Sequence, residues 1–168
     1  MTTESIVDIN HSLEILAKLS CLPQINRYEY YLSRGENEKA QKIIEETIKS
    51  ILSSRSFIED FYTKIHMYLN EIRGIDSSKL RDYVSNLKKT IYEAMYTLNN
   101  MPWHVGGCHV IKGHTLSLLY TVSNTLNHLE RIGFMSGYVN ELIQYLEMLK
   151  NHLEDLQKLL SSISPRSS

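Results

Sequence analysis

The chain has 168 residues, a formal net charge of -1 and 22% charged side chains with both signs intermixed. That length suffices for a single domain with a real core, and the balanced charge excludes the basic footprint of a nucleic-acid or anionic-membrane binder. No stretch approaches the roughly 20 apolar residues that span a bilayer, so neither nucleic acid nor membrane is expected as a partner.

The N-terminus, Met-Thr-Thr-Glu-Ser-Ile-Val-Asp, is acidic and has no apolar run of the signal-peptide kind. Residues 3–19 carry Ile6, Ile9, Leu13 and Leu16 at helical spacing, with Thr2 or Thr3 as the cap. Cys21 and Cys108 are the only cysteines and lie far apart. They make no disulfide framework, so a reducing, cytoplasmic setting is the expectation. Pro23 ends the first run or opens the next, a tyrosine-rich helix over 24–34 with Gly35 as its C-cap. Tyr30 to Ala40 is similar to the turn of a tetratricopeptide-type helical hairpin, but there is one copy and no repeat, which reads as a generic helix-turn-helix.

From Glu36 to Arg73 one long apolar face runs through Ile44, Ile48, Ile51, Ile58, Ile65, Leu69 and Ile72. Arg55 interrupts it, and Ser53-Ser54 mark a kink. Gly74 stops this helix, and Asp76 or Ser77 caps the next. That helix, to about residue 99, shows the four-three spacing of a packed hairpin in Leu80, Val84, Leu87, Ile91, Ala94 and Leu98. After the turn at Asn99-Asn100-Met101-Pro102, a central helix is predicted over 102–132, with Ile111, Thr115, Leu118, Val122 and Leu129 on its buried side and Leu126 flanking. The last helix, 138–163, has the cleanest stripe: Leu142, Leu146, Leu149, Leu153, Leu156, Leu160 and Ile163. No segment alternates as a strand. The predicted fold is therefore all-α, an antiparallel helical bundle with a four-helix core and additional N-terminal helices. The predicted organisation is a 1–73 extension, a 76–163 bundle and a disordered 164–168 tail.

The stretch from Gly106 to Leu119 looks like chemistry rather than scaffold. On a helix of 3.6 residues per turn, His109 falls nearly opposite the apolar stripe, with Lys112 and Gly113 beside it and Gly106 one turn before. Glycine inside a helix costs about 1 kcal/mol against alanine, so three glycines around one histidine suggest close approach by another molecule. Leu116, Leu119 and Tyr120 lie on or beside the same face as an apolar patch for a partner.

His109-x-x-Lys112-Gly113, with Ser117, Leu118 and the later His128-Leu129-Glu130, resembles the phospho-acceptor helix of histidine phosphotransfer (HPt) domains over roughly residues 76–163. It departs from that pattern at Gly106, Gly107, His114 and Leu119. The resemblance implies an antiparallel bundle that takes a phosphoryl group from a receiver-domain aspartate and passes it on. His109 would be the acceptor, Lys112 the electrostatic helper and Gly113 the clearance for the partner. Such a chain is a phosphotransfer protein rather than a turnover enzyme. It needs no cofactor of its own, since the magnesium belongs to the receiver. Its partners are a receiver domain or histidine kinase.

Other chemistries fit less well. His104, Cys108, His109 and His114 crowd together like metal ligands. Yet His109 and His114 diverge by about 140° on a helix, and no fourth ligand is near. Cys108 and His109 are adjacent and splay apart, so they do not make a nucleophile–base pair. No Glu-x-x-His pair exists for a di-iron bundle site, and His11, His66 and His152 read as surface or packing residues. The remaining alternative is a non-catalytic helical interaction or assembly subunit, with a homodimer formed through the N-terminal helices.

Overall fold

The structure, a computed structural model, describes residues 8–101, 109–132 and 136–163, without the side chains of His109, Val110, Ile111 and Ser136. The described residues are all-α: α1 (Ile9–Lys18), α2 (Leu22–Ser33), α3 (Asn37–Leu52), α4 (Arg55–Arg73), a 3-10 turn at Ser77–Lys79, α5 (Leu80–Asn99), α6 (His109–Ile132) and α7 (Ser136–Ser162). None of these helices is long and apolar enough to cross a membrane. Thr2, Thr3, the predicted helical residues 102–108 and the 164–168 tail lie outside the described residues.

The chain forms two compact units. The first takes the chain up to Ser56, Met101–Gly113 and the chain from Leu156; the second takes Phe57–Asn100 and His114–Asp155. These divisions differ from the expected 1–73 and 76–163: α4 groups with α5, and the first part of α6 and the last part of α7 group with α1 to α3.

In the first unit, Asp8 caps α1 by accepting from the His11 N–H at 3.2 Å. At the other end of α1, Ser20 stands at φ +61°, Ser20 N–H donates to Ala17 O at 3.1 Å and Cys21 N–H donates to Leu16 O at 2.8 Å. This is a Schellman turn with serine where glycine is usual. α2 ends in the same motif with the usual residue. Gly35 is at φ +76°, its N–H donates to Leu32 O at 3.0 Å, and Glu36 N–H donates to Tyr31 O at 2.9 Å. The two turns make an internal comparison. Ser20→Gly removes left-handed strain of about 1–2 kcal/mol against a looser unfolded chain, so a gain of about 0.5 kcal/mol is expected. Gly35→Ala adds the strain, and a Cβ there meets nothing within 4 Å, so a loss of about 1 kcal/mol from the backbone alone is expected. Urea titrations of the two variants check both signs.

Pro23 opens α2 rather than ending α1, in the first turn where its missing N–H costs nothing. Ile15, Leu16, Leu19, Ala40, Ile44, Ile48 and Ile51 are buried among α1 to α3. His11 ties α1 to the end of α7, with Nε2 at 2.6 Å from the carbonyl oxygen of Ser162. Cys21 is fully buried and disulfide-bonded. This corrects the expectation of unpaired thiols and removes the argument for a reducing compartment drawn from them. Cys108, the only other cysteine in the sequence, lies outside the described residues.

The long helix expected over 36–73 is broken, not merely kinked. The hydroxyls of Ser53 and Ser54 donate to the carbonyls of Ser50 and Ile51, taking acceptors that a continuing helix would use.

The second unit is a four-helix bundle whose neighbours can be read from its polar contacts. Tyr83 Oη donates to Tyr68 O at 2.7 Å, and Tyr68 Oη lies 3.0 Å from Thr90 Oγ1, joining α4 to α5. Burial pushes the Tyr83 phenol far above its ordinary pKa, so it stays a donor. Lys88 pairs with Glu130 at 2.9 Å, and Tyr92 bonds Ser123 and Asn127. As numbering rises in α5 it falls in α6, so those helices are antiparallel. Thr115 meets His152, and His128 stacks on Tyr138, so α6 and α7 are antiparallel too. Arg73 bonds Glu147 at 2.6 Å, bringing α4 to α7. Along α7, Leu142, Leu146, Leu149 and Leu153 are all fully buried in the bundle.

Candidate functional site

α6 contributes the residues singled out by the sequence. His109 is the first described residue of this helix, and Lys112 and Gly113 follow three and four positions later, all within the first compact unit. The side chain of His109 lies outside the described residues, as do Gly106, Gly107, His104 and Cys108. Lys112 is half-buried and already engaged. Gly113 is exposed, and a Cβ built there has open space around it. A bulky surface could therefore approach this turn without meeting a side chain at 113.

The stripe facing the bundle core differs from the predicted one. Thr115, Leu119, Val122, Leu126 and Leu129 are all fully buried, at the spacing four, three, four, three. Leu118 is only half-buried. Leu119, expected on or beside the exposed face, is therefore a core residue, and Leu126 is central rather than flanking. The cause is geometric. α6 packs between α5 and α7, and the heptad seam that satisfies both runs through 119 and 126.

Tyr120 remains exposed, as predicted. Tyr92 and Tyr96, one turn apart on α5, are exposed as well, 46% and 74% against 52% for Tyr120 on α6. The hydrogen bond from Ser123 holds the Tyr92 phenol below its ordinary pKa, helped by Lys88 and Asn127 and opposed by burial and Glu130.

A second group that sequence reading missed lies at the α6–α7 contact of the bundle. His152 Nε2 is 2.7 Å from Thr115 Oγ1, and the His152 ring meets the His114 ring edge-on at 4.8 Å between centroids. His114 is exposed and His152 half-buried. Burial first, and then the neighbouring His114, pull the His152 imidazole down to about 4, against an opposing pull from Asp155. It is thus neutral at pH 7, a hydrogen-bonding and packing group. Its only signal in the sequence is a histidine three residues after Leu149 and one before Leu153 of the clean α7 stripe, which does not name Thr115, 37 positions away. Among the described residues, no three histidine, cysteine or carboxylate side chains gather as a metal would need.

Compared with family models, curated proteins and solved structures, the chain matches none.

Proposed function

We propose that this chain is a phosphorelay intermediate that accepts a phosphoryl group on His109. The observation that carries the reading is the register of α6. Along the helix Lys112 and Gly113 follow His109 by three and four residues, one turn further on, with open space at Gly113. A cation one turn from the acceptor stabilises phosphoryl charge, and phosphoryl transfer asks chiefly for positioning and charge stabilisation. An imidazole nitrogen attacks phosphorus, the bond to the donor aspartate oxygen breaks, and the carboxylate leaves with the electron pair. Magnesium and carboxylate come from the receiver domain, which this reading places with the chain in the cytoplasm.

The test mixes the full chain with a panel of phosphorylated receiver domains and magnesium. Acid-labile, base-stable label is followed on wild type and His109→Gln, each with and without reductant because Cys21 is disulfide-bonded. Label on wild type and none on His109→Gln is expected. No label from any receiver, on protein shown to be helical, removes the reading.

A second reading, a non-catalytic helical interaction or assembly subunit, is favoured by the exposed tyrosines of α5 and α6, Tyr92, Tyr96 and Tyr120. Tyrosines combine large apolar area with a hydrogen-bonding tip and are enriched in protein interfaces. Sedimentation of the purified chain tests its simplest form, self-association, including the homodimer expected through the N-terminal helices.

A further inference from the structure

Cys21 is disulfide-bonded and 0% exposed. Its backbone is held from both sides. Cys21 N–H donates to Leu16 O at 2.8 Å and closes the turn at the end of α1. Cys21 O accepts from Gln24 N–H at 3.2 Å in the first turn of α2, where Cys21 is the N-cap residue. Leu16 and Leu19 of the same corner are buried too. The sulfur is thus anchored at a fixed corner in the core of the first unit.

The sequence supplies one other cysteine, Cys108. Within a single chain, elimination leaves it as the partner sulfur. A second observation agrees. Met101–Gly113 belongs to the same compact unit as Cys21, although the chain on both sides of it, Phe57–Asn100 and His114–Asp155, belongs to the other unit. A bond from position 108 to Cys21 accounts for that grouping. Cys108 immediately precedes His109, the first described residue of α6.

We infer that Cys21 and Cys108 form an intramolecular disulfide that clamps the His109 end of α6 to the α1–α2 corner, and that a dithiol, by reducing it, loosens this end and slows phosphoryl uptake at His109. The clamp stands on its own, whereas its effect on uptake rests on the phosphotransfer reading. The Cys21 sulfur is buried, so the reductant thiolate attacks the Cys108 sulfur, and Cys21 leaves as a thiolate and takes up a proton. The second thiol of the reductant then attacks the mixed disulfide and releases Cys108 as a thiol. The protein gains two electrons and two protons, and the dithiol becomes a disulfide. Phosphoryl transfer depends chiefly on positioning, which makes the oxidised chain the faster acceptor.

The full chain is purified without reductant, free thiols are blocked and tryptic peptides are mapped. A cross-linked pair of 19–27 with 90–112 is expected from monomeric protein. Free thiols at both cysteines, or a cross-link only between two copies, overturn the inference. The clamp itself is read by amide exchange with and without dithiothreitol. In the helix the amides of Gly113, His114 and Thr115 bond back to the carbonyls of 109–111. Reduction should speed their exchange about tenfold and lower Tm by about 10 °C, as opening a loop of about 90 residues implies. Cys108→Ser should match the reduced chain and ignore dithiothreitol. Unchanged exchange at these three amides overturns the clamp, even if Tm falls. Loss of helix throughout the reduced chain, read by circular dichroism, overturns the switch, because the bond then serves the whole fold. Uptake of label from a phosphorylated receiver should be about tenfold slower in the reduced chain and in Cys108→Ser. Equal rates overturn the regulatory half. No uptake in either redox state removes the phosphotransfer reading and its regulation together, while mapping and exchange still decide the clamp.

Discussion

Leu119→Ala should destabilise the protein by about 3 kcal/mol, while Leu118→Ala, one residue away, should cost less than about 1 kcal/mol. Both residues are leucines in the same turn of α6, so helix propensity and composition are matched and only the direction of the side chain differs. Leu119 is fully buried in the seam with Val122 and Leu126, whereas Leu118 stays half in water. Truncating Leu119 removes buried methyl groups and leaves a cavity between α5, α6 and α7 that neighbours fill only in part. Truncating Leu118 forfeits part of one contact surface. Urea denaturation of the pair measures the difference directly. Equal losses would mean that α6 is rotated from the phase described, and a larger loss for Leu118 would restore the stripe predicted from the sequence.

Stability should also fall on acidification because of His152, through a window set by its own pKa. In the folded bundle the imidazole titrates near 4; in the unfolded chain it returns to an ordinary value near 6.5. Above about pH 6.5 the group is neutral in both states and its contribution is fully present. As pH drops from there toward 4, the unfolded chain takes up a proton that the folded one refuses, so stability is lost with falling pH. Below about 4 both states are protonated and the loss from this group is complete. The shift alone corresponds to roughly 3 kcal/mol, but His152 is only half-buried and screening by solvent reduces this to about 1–2 kcal/mol. Burial is the main cause of the low value; of the titratable groups facing it, His114 on α6 lowers it further and Asp155 on α7 itself raises it. Chemical denaturation at pH 7 and pH 4.5 should show a smaller drop for His152→Gln than for wild type. An equal drop in both proteins would assign the acid sensitivity elsewhere.

The two experiments bear on what a single sequence makes legible. The α7 stripe could be read directly, because leucines at alternating four and three spacing admit only one buried side, and all seven positions from Leu142 to Ile163 are buried. α6 was harder. Leu118 and Leu119 are both apolar, a step of one residue turns the helix by about 100°, and only packing against two neighbouring helices chooses between them. The turn at Gly35 announced itself through its glycine, whereas the equivalent turn at Ser20 carried no such mark, since serine seldom takes a left-handed conformation. The break at Ser53-Ser54 was visible as a weak point but not as an end, because serine hydroxyls can cap their own turn or point to water. For the candidate site, the order His109, Lys112, Gly113 along a helix was legible. The His152–Thr115 bond and the Gln24–Thr47 pair were not, since each joins residues that only tertiary packing brings together.

The interleaving of the two compact units has a consequence for synthesis. Each is assembled from segments that the ribosome delivers at separate times: the chain up to Ser56 waits for residues from Leu156 onward, and Phe57–Asn100 waits for His114–Asp155. At usual translation rates, α1 to α3 emerge well before α7. The bond between His11 Nε2 and the Ser162 carbonyl therefore forms only once α7 has followed. Neither unit lies within one uninterrupted fragment, so a nascent chain stalled before α7 holds neither of them whole.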